Sequence, residues 1–170
     1  MSPKPEPLNY AFGEGGVSMT LFGFFVFLVL AINAVRGARW AYVVFVILGL
    51  LYFPATMGFR VEPRACYLAV DLPLAIQSLS NYGHIVIYCL FFLMTTRQFR
   101  SSGWRSWGWA LGLTTAMGIA VEITEGLSGH HHCKAIDLIP NFIGTLLGLT
   151  AVVVASARLG RRSGINGLSE

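Results

Sequence analysis

The feature that most constrains this chain is its division into five apolar stretches, at about 17–35, 39–57, 81–97, 106–124 and 137–157. Each is roughly long enough to cross ~30 Å of hydrocarbon as a helix. The run MTLFGFFVFLVLAINAV carries no charge at all, and charged residues make up only 12% of the chain, about half the share found in a soluble domain. The expected fold class is therefore all-α, a polytopic transmembrane helical bundle with about five spans. The chain is too short for two membrane domains, so residues 17–157 read as one membrane-embedded unit.

Lysine and arginine placement gives the expected orientation. Arg36 and Arg39 lie between stretches one and two, and Arg97, Arg100 and Arg105 between three and four. Arg158, Arg161 and Arg162 follow stretch five, so 8 of the 12 basic residues share one side. Of the acidic residues, only Glu170 falls there. This predicts an N-terminus outside, a C-terminus inside and a cytoplasmic tail at 158–170. Trp40, Trp104, Trp107 and Trp109 fall near the same boundary, as an interfacial aromatic belt would. The first stretch has its basic residues after the apolar run and no clear small-x-small cleavage site, so it is expected to stay as a helix. Residues 1–16, rich in Pro and Gly, read as an extracytoplasmic arm. No basic stripe interleaved with aromatics appears, which argues against a nucleic-acid partner.

The stretch 58–80 is apolar in part, but Arg60, Glu62, Arg64 and Asp71 interrupt it, and Pro63 and Pro73 are expected to break helices. It reads as an extracytoplasmic amphipathic or re-entrant segment able to roof a site, since irregular backbone at membrane depth must be buried in protein or line a wet cavity. Cys66 and Cys133 both fall in expected outer loops, where an oxidising exterior permits a disulfide. Two free thiols fit the sequence equally well.

Ionisable groups within a membrane usually face the bundle interior or a water-filled cavity. His84 and Tyr88 are four apart, Glu122 and Glu125 three apart, and Asp137, Asn141 and Gly144 follow at four and three. Each set shares a helix face. With alternating helix directions, all three sets meet near the outer rim, and Asp137 suits the positive start of the last helix. The catalytic candidates are His84, Glu122 and Asp137, with Glu122 or His84 as general base and Asp137 orienting His84 or a water. Tyr88, Glu125, His131 and Asn141 are the binding candidates. The tract His130-His131-His132-Cys133 has metal-ligand chemistry, but three consecutive residues seldom reach one ion, and no metal or other cofactor is expected. Gly108-x-x-x-Gly112 and Gly144-x-x-x-Gly148 are expected to pack helices within the bundle.

Residues 122–148, EITEGLSGHHHCKAIDLIPNFIGTLLG, together with SNYGHIVIY upstream, resemble the signature of VanZ-like membrane proteins. That pattern has a Glu, a Gln three residues on, a loop with an Arg, and Asp-x-x-x-Asn-x-x-Gly opening the last helix. An Asp-Lys pair precedes a His with a Tyr four later. His84, Tyr88, Glu122, Asp137, Asn141, Gly144 and Gly148 match. Glu125 stands in place of the Gln, His131 falls near the Arg position, and Ser80-Asn81 replace Asp-Lys. The resemblance covers about 81–150 and implies a multi-pass protein of the bacterial inner membrane. It also implies a part in cell-envelope maintenance or in resistance to teicoplanin-type glycopeptide antibiotics. Its ligand would be a membrane lipid or a lipid-linked polar head group. Two other roles fit the residues. One is an accessory or scaffold subunit of a membrane protein complex, and the other is a membrane enzyme using Glu122 and His84 on a lipid-linked substrate.

Overall fold

The computed structural model describes residues 14–166 except 57, 60, 62–64, 69–70, 101–102 and 130–132. Within helices it leaves undescribed the side chains of 14–20, 53, 56 and 159–166. The described chain is helical. In order come α1 (Glu14–Val35), α2 (Arg39–Thr56), α3 (Leu72–Ser78), α4 (Tyr82–Thr96), α5 (Trp104–Leu127), a 3-10 turn (Ala135–Asp137) and α6 (Leu138–Asn166). The sheet-like pairing among the described residues is an isolated parallel bridge between Tyr67 and Lys134.

Each of the five apolar stretches is a helix, and the ends follow local chemistry. α1 stops where Gly37 takes φ 90°, with the Ala38 N–H donating to the Asn33 carbonyl at 3.0 Å. This is the left-handed turn that glycine makes at little cost. α5 stops in the same way before Gly129, at φ 70°. α6 continues to Asn166, through most of the expected tail, and α1 begins at Glu14, inside the expected N-terminal arm. The segment 58–80, expected to be amphipathic or re-entrant with its prolines breaking helices, contains the short helix α3. Asp71 caps α3 by accepting from the Leu74 N–H at 2.9 Å, and Pro73 sits in its first turn. A missing N–H costs nothing there, so this proline starts a helix instead of breaking one.

α5 and the run Ala135–Arg158 are long and apolar enough to cross a membrane. A third crossing arises if α3 and α4, bent by 68° at the break between them, form one span. The apolar parts described for α1 and α2, Leu21–Val35 and Arg39–Tyr52, are shorter. Phe22, Phe24, Phe25, Val43, Ile47 and many other large apolar side chains are exposed. Such a surface suits contact with lipid and marks the chain as a membrane protein.

α4 lies against α1, α5 and α6. Its contact with α6 is the tightest in the bundle. A Cβ added at Gly144 would collide with the Ile85 carbonyl, and one at Gly148 would stand 2.9 Å from Phe92 Cδ1 and 3.0 Å from the Cys89 carbonyl. Small residues here let two helix backbones touch. The other glycine pair behaves differently. A Cβ at Gly108 or Gly112 would meet nothing within 4 Å. The buried face of α5 runs through Ser106, Ala110, Thr114, Gly118 and Glu122. Gly108 and Gly112 lie two residues off that stripe, roughly 200° round the helix, so they face outward.

The apolar core centres on Ala34, Phe91 and Met94, with Tyr42, Phe45 and Met117 packed around them. Tyr42 and Phe45 stack on Phe91 at centroid distances of 5.8 and 6.2 Å. This core fills the half of the bundle nearer the α1–α2 turn, and the polar residues collect in the other half.

Candidate functional site

α4 begins, α5 ends and α6 begins at the same end of the bundle, which brings together residues from three distant parts of the sequence. The His84 ring Nδ1 lies 2.8 Å from Asn141 Oδ1. One turn further along α4, Tyr88 stacks beside His84 with centroids 6.4 Å apart. Tyr88 is close enough to Glu122 and Glu125 for their charges to act on its hydroxyl. Glu125, three residues along the same helix, and Asp137, just before α6, lie within electrostatic range of Glu122. Gly118 marks where the three helices meet. A Cβ there would make ordinary contacts, 3.4 Å from Tyr88 Cε1 and 3.5 Å from Asn141 Nδ2, so α5 meets side chains of both α4 and α6 at one position.

Glu122, Glu125 and Asn141 are buried. The Lys134 backbone N–H donates to Glu122 Oε2 at 3.1 Å. The loop that carries this donor is held from the other side as well. A disulfide joins Cys66 to Cys133, with Cα atoms 4.9 Å apart. The Tyr67 N–H donates to the Cys133 carbonyl at 3.1 Å, and the Ala135 N–H to the Tyr67 carbonyl at 3.0 Å. The sulfur of Cys133 sits 3.0 Å from the Glu122 carbonyl oxygen. A bridged sulfur has no hydrogen to donate, so this is a packing contact. The segment around Cys66 therefore covers the end of α5, in the place expected for a roof. Asn141, not Asp137, holds the His84 ring. Asp137 lies in the 3-10 turn, where its N–H donates to the Lys134 carbonyl at 3.0 Å. His131 lies outside the described residues.

Three buried polar atoms along this junction have no hydrogen-bond partner: Glu122 Oε1, Asn141 Nδ2 and Thr114 Oγ1. Turning the Asn141 amide over would pair its nitrogen with His84 and leave its oxygen over, so one of its polar atoms is spare in either orientation. Asn141 and Thr114 also line a cleft of about 200 Å³ between α5 and α6, walled by Ile119, Phe142 and Thr145. Buried polar atoms are normally satisfied. Leaving one bare costs about 1–3 kcal/mol, so each of the three calls for a polar partner, either water or a ligand group. Thr114 and Gly118 escaped the sequence reading. The signal for them was the run of small or polar residues at every fourth position, 106, 110, 114, 118 and 122.

No group of three or more His, Cys, Asp or Glu side chains able to hold a metal ion occurs among the described residues. Donors and acceptors here belong to three different helices and a stapled loop, an arrangement suited to gripping a polar ligand at the edge of an apolar bundle. No family model, curated protein or solved structure matches the chain.

Proposed function

We propose that this is a VanZ-like, five-span protein of the bacterial inner membrane, with its N-terminus outside and its C-terminus inside. Its polar junction receives the head group of an envelope lipid or lipid-linked cell-wall precursor. Binding there lowers the access of teicoplanin-type glycopeptides to their target or maintains the envelope in another way.

The observation that carries this reading is the set of spare polar atoms on Glu122, Asn141 and Thr114. A purely structural knot tying helices together for a scaffold role would satisfy its own members, since a half-satisfied network is worse than an apolar core. The Cys66–Cys133 bridge supports the orientation, because disulfides persist in oxidising compartments. The described arginines cluster at the opposite end, as cytoplasmic positive charge would.

The test has two arms. In a susceptible bacterial host, the full chain should raise the teicoplanin concentration that stops growth, and Glu122→Gln and Asn141→Leu should each abolish that rise at equal membrane abundance. In detergent, the purified chain should retain a lipid-linked precursor through washing, and the same variants should release it. Unchanged drug susceptibility together with equal retention by the variants would remove the proposal.

A further inference from the structure

A second polar site stands at the opposite end of the bundle. A cavity of about 290 Å³ opens between the α1–α2 turn and the end of α4, lined by Gly37, Arg39, Arg97, Gln98 and Arg100. Its floor is fixed. Gln98 Nε2 donates to the Ala34 carbonyl at 2.7 Å and to the Met94 carbonyl at 2.9 Å. It thereby ties the last turn of α1 to the last turn of α4 and satisfies carbonyls that helix ends leave bare. Two carbonyl acceptors around one amide nitrogen settle the amide orientation, so Gln98 Oε1 is left over, buried and without a partner. Arg39 reaches across, its Nη2 donating to the Gln98 carbonyl at 3.4 Å.

Among the described residues, no acidic side chain belongs to this end. The acidic side chains described outside the first turn of α1 are Asp71, Glu122, Glu125 and Asp137, which belong to the α3–α4 side and the Glu122 junction. Three guanidinium groups therefore border one cavity, and exposed Trp40 follows Arg39 directly in the chain, the residue type that marks a membrane–water boundary. Guanidinium forks match phosphate oxygens in geometry as well as charge. Basic pockets between membrane helices are places where anionic head groups sit.

We propose that this cavity binds a phosphate anion, held against Arg39, Arg97 and Arg100. An anionic phospholipid with a glycerol head group has this chemistry, and so does soluble glycerol phosphate. The site is independent of the Glu122 junction.

Thermal unfolding of the full chain in uncharged detergent tests it, with phosphatidylglycerol, phosphatidylcholine or glycerol phosphate added at equal concentration. Phosphatidylglycerol should raise the midpoint by about 5 °C, as expected for ligand well above its dissociation constant. Phosphatidylcholine, whose head group has a cancelling cation, should leave it unmoved. A matching rise with glycerol phosphate would assign the site to a soluble anion, and its absence would assign it to the lipid. Arg97→Gln and Arg100→Gln should each remove most of the rise, while Arg105→Gln, outside the cavity, keeps it. Arg100→Lys retains the charge but loses the fork, so it should weaken the rise without changing the midpoint of the lipid-free protein. This holds the test open if Arg97→Gln fails to fold. Equal rises with phosphatidylglycerol and phosphatidylcholine, or a rise unaltered in Arg100→Gln, would overturn the proposal.

Discussion

His84 and Asn141 are 57 residues apart in sequence and 2.8 Å apart in space, joined ring nitrogen to amide oxygen. The bond fixes which way the imidazole faces. It also sets the depth at which α4 and α6 pass each other. Replacing Asn141 by Leu, of similar size, leaves the half-buried ring nitrogen without its partner. The expected loss is about 1–3 kcal/mol, read as a lower midpoint of thermal unfolding in detergent. His84→Ala should cost less in the Asn141→Leu background than in the wild-type protein, because the bond is already gone.

The two glycine pairs should respond in opposite ways. Gly144→Ala places a methyl group against the Ile85 backbone carbonyl, which cannot step aside as a side chain can. Either α4 and α6 separate or the chain does not fold, a loss beyond ~3 kcal/mol. Gly108→Ala and Gly112→Ala point into open space and should leave stability unchanged or raise it by up to about 1 kcal/mol, since alanine favours a helix interior over glycine. Unfolding curves for the four single alanine variants, Gly148→Ala included, distinguish the pairs directly.

Cysteine labelling should separate the three thiols. Cys66 and Cys133 are bridged, and Cys89 is the free cysteine. Denatured but unreduced protein should take up one maleimide–polyethylene glycol tag, and reduced protein three. The Cys66→Ser, Cys133→Ser double variant should lose about 2–4 kcal/mol of stability. It should also bind the head-group ligand more weakly, because the Lys134 donor to Glu122 is no longer stapled in place.

Gly118 should behave as a gauge of the junction. An added Cβ would make ordinary contacts of 3.4–3.7 Å with Tyr88 and Asn141, so Gly118→Ala should fold and leave stability nearly unchanged. Gly118→Leu forces α5 away from both helices. Ligand retention by washed protein should survive the first substitution and vanish with the second, with the unfolding midpoint falling by several degrees for the leucine alone.

Much of this arrangement was legible in the sequence. The apolar runs are bounded by arginines, glycines and prolines, and the helices begin and end within a few residues of those marks, apart from α6, which runs on into the tail. Alternating direction alone was enough to predict that His84, Glu122 and Asn141 gather at one end. Two features were not legible. A helix as short as α3 rests on a single Asp71 cap and on Pro73 occupying the one turn that tolerates it, and a proline in sequence looks the same whether it opens a helix or breaks one. The Gly108 and Gly112 pair has the spacing of a packing motif. Which face of α5 turns inward depends on the neighbours of Ser106, Ala110, Thr114 and Gly118, and spacing does not contain that.

The contact of Gly144 and Gly148 with the backbone of α4 has a mechanical consequence. Two helices that touch main chain to main chain have no soft layer between them, so α4 and α6 behave as one stiff plate carrying His84, Tyr88 and Asn141 together. α5 leans on that plate through side chains at Gly118 and through the small residues along its inner stripe. If the pocket widens or narrows around a guest, α5 is the wall that shifts, and it takes Glu122 with it.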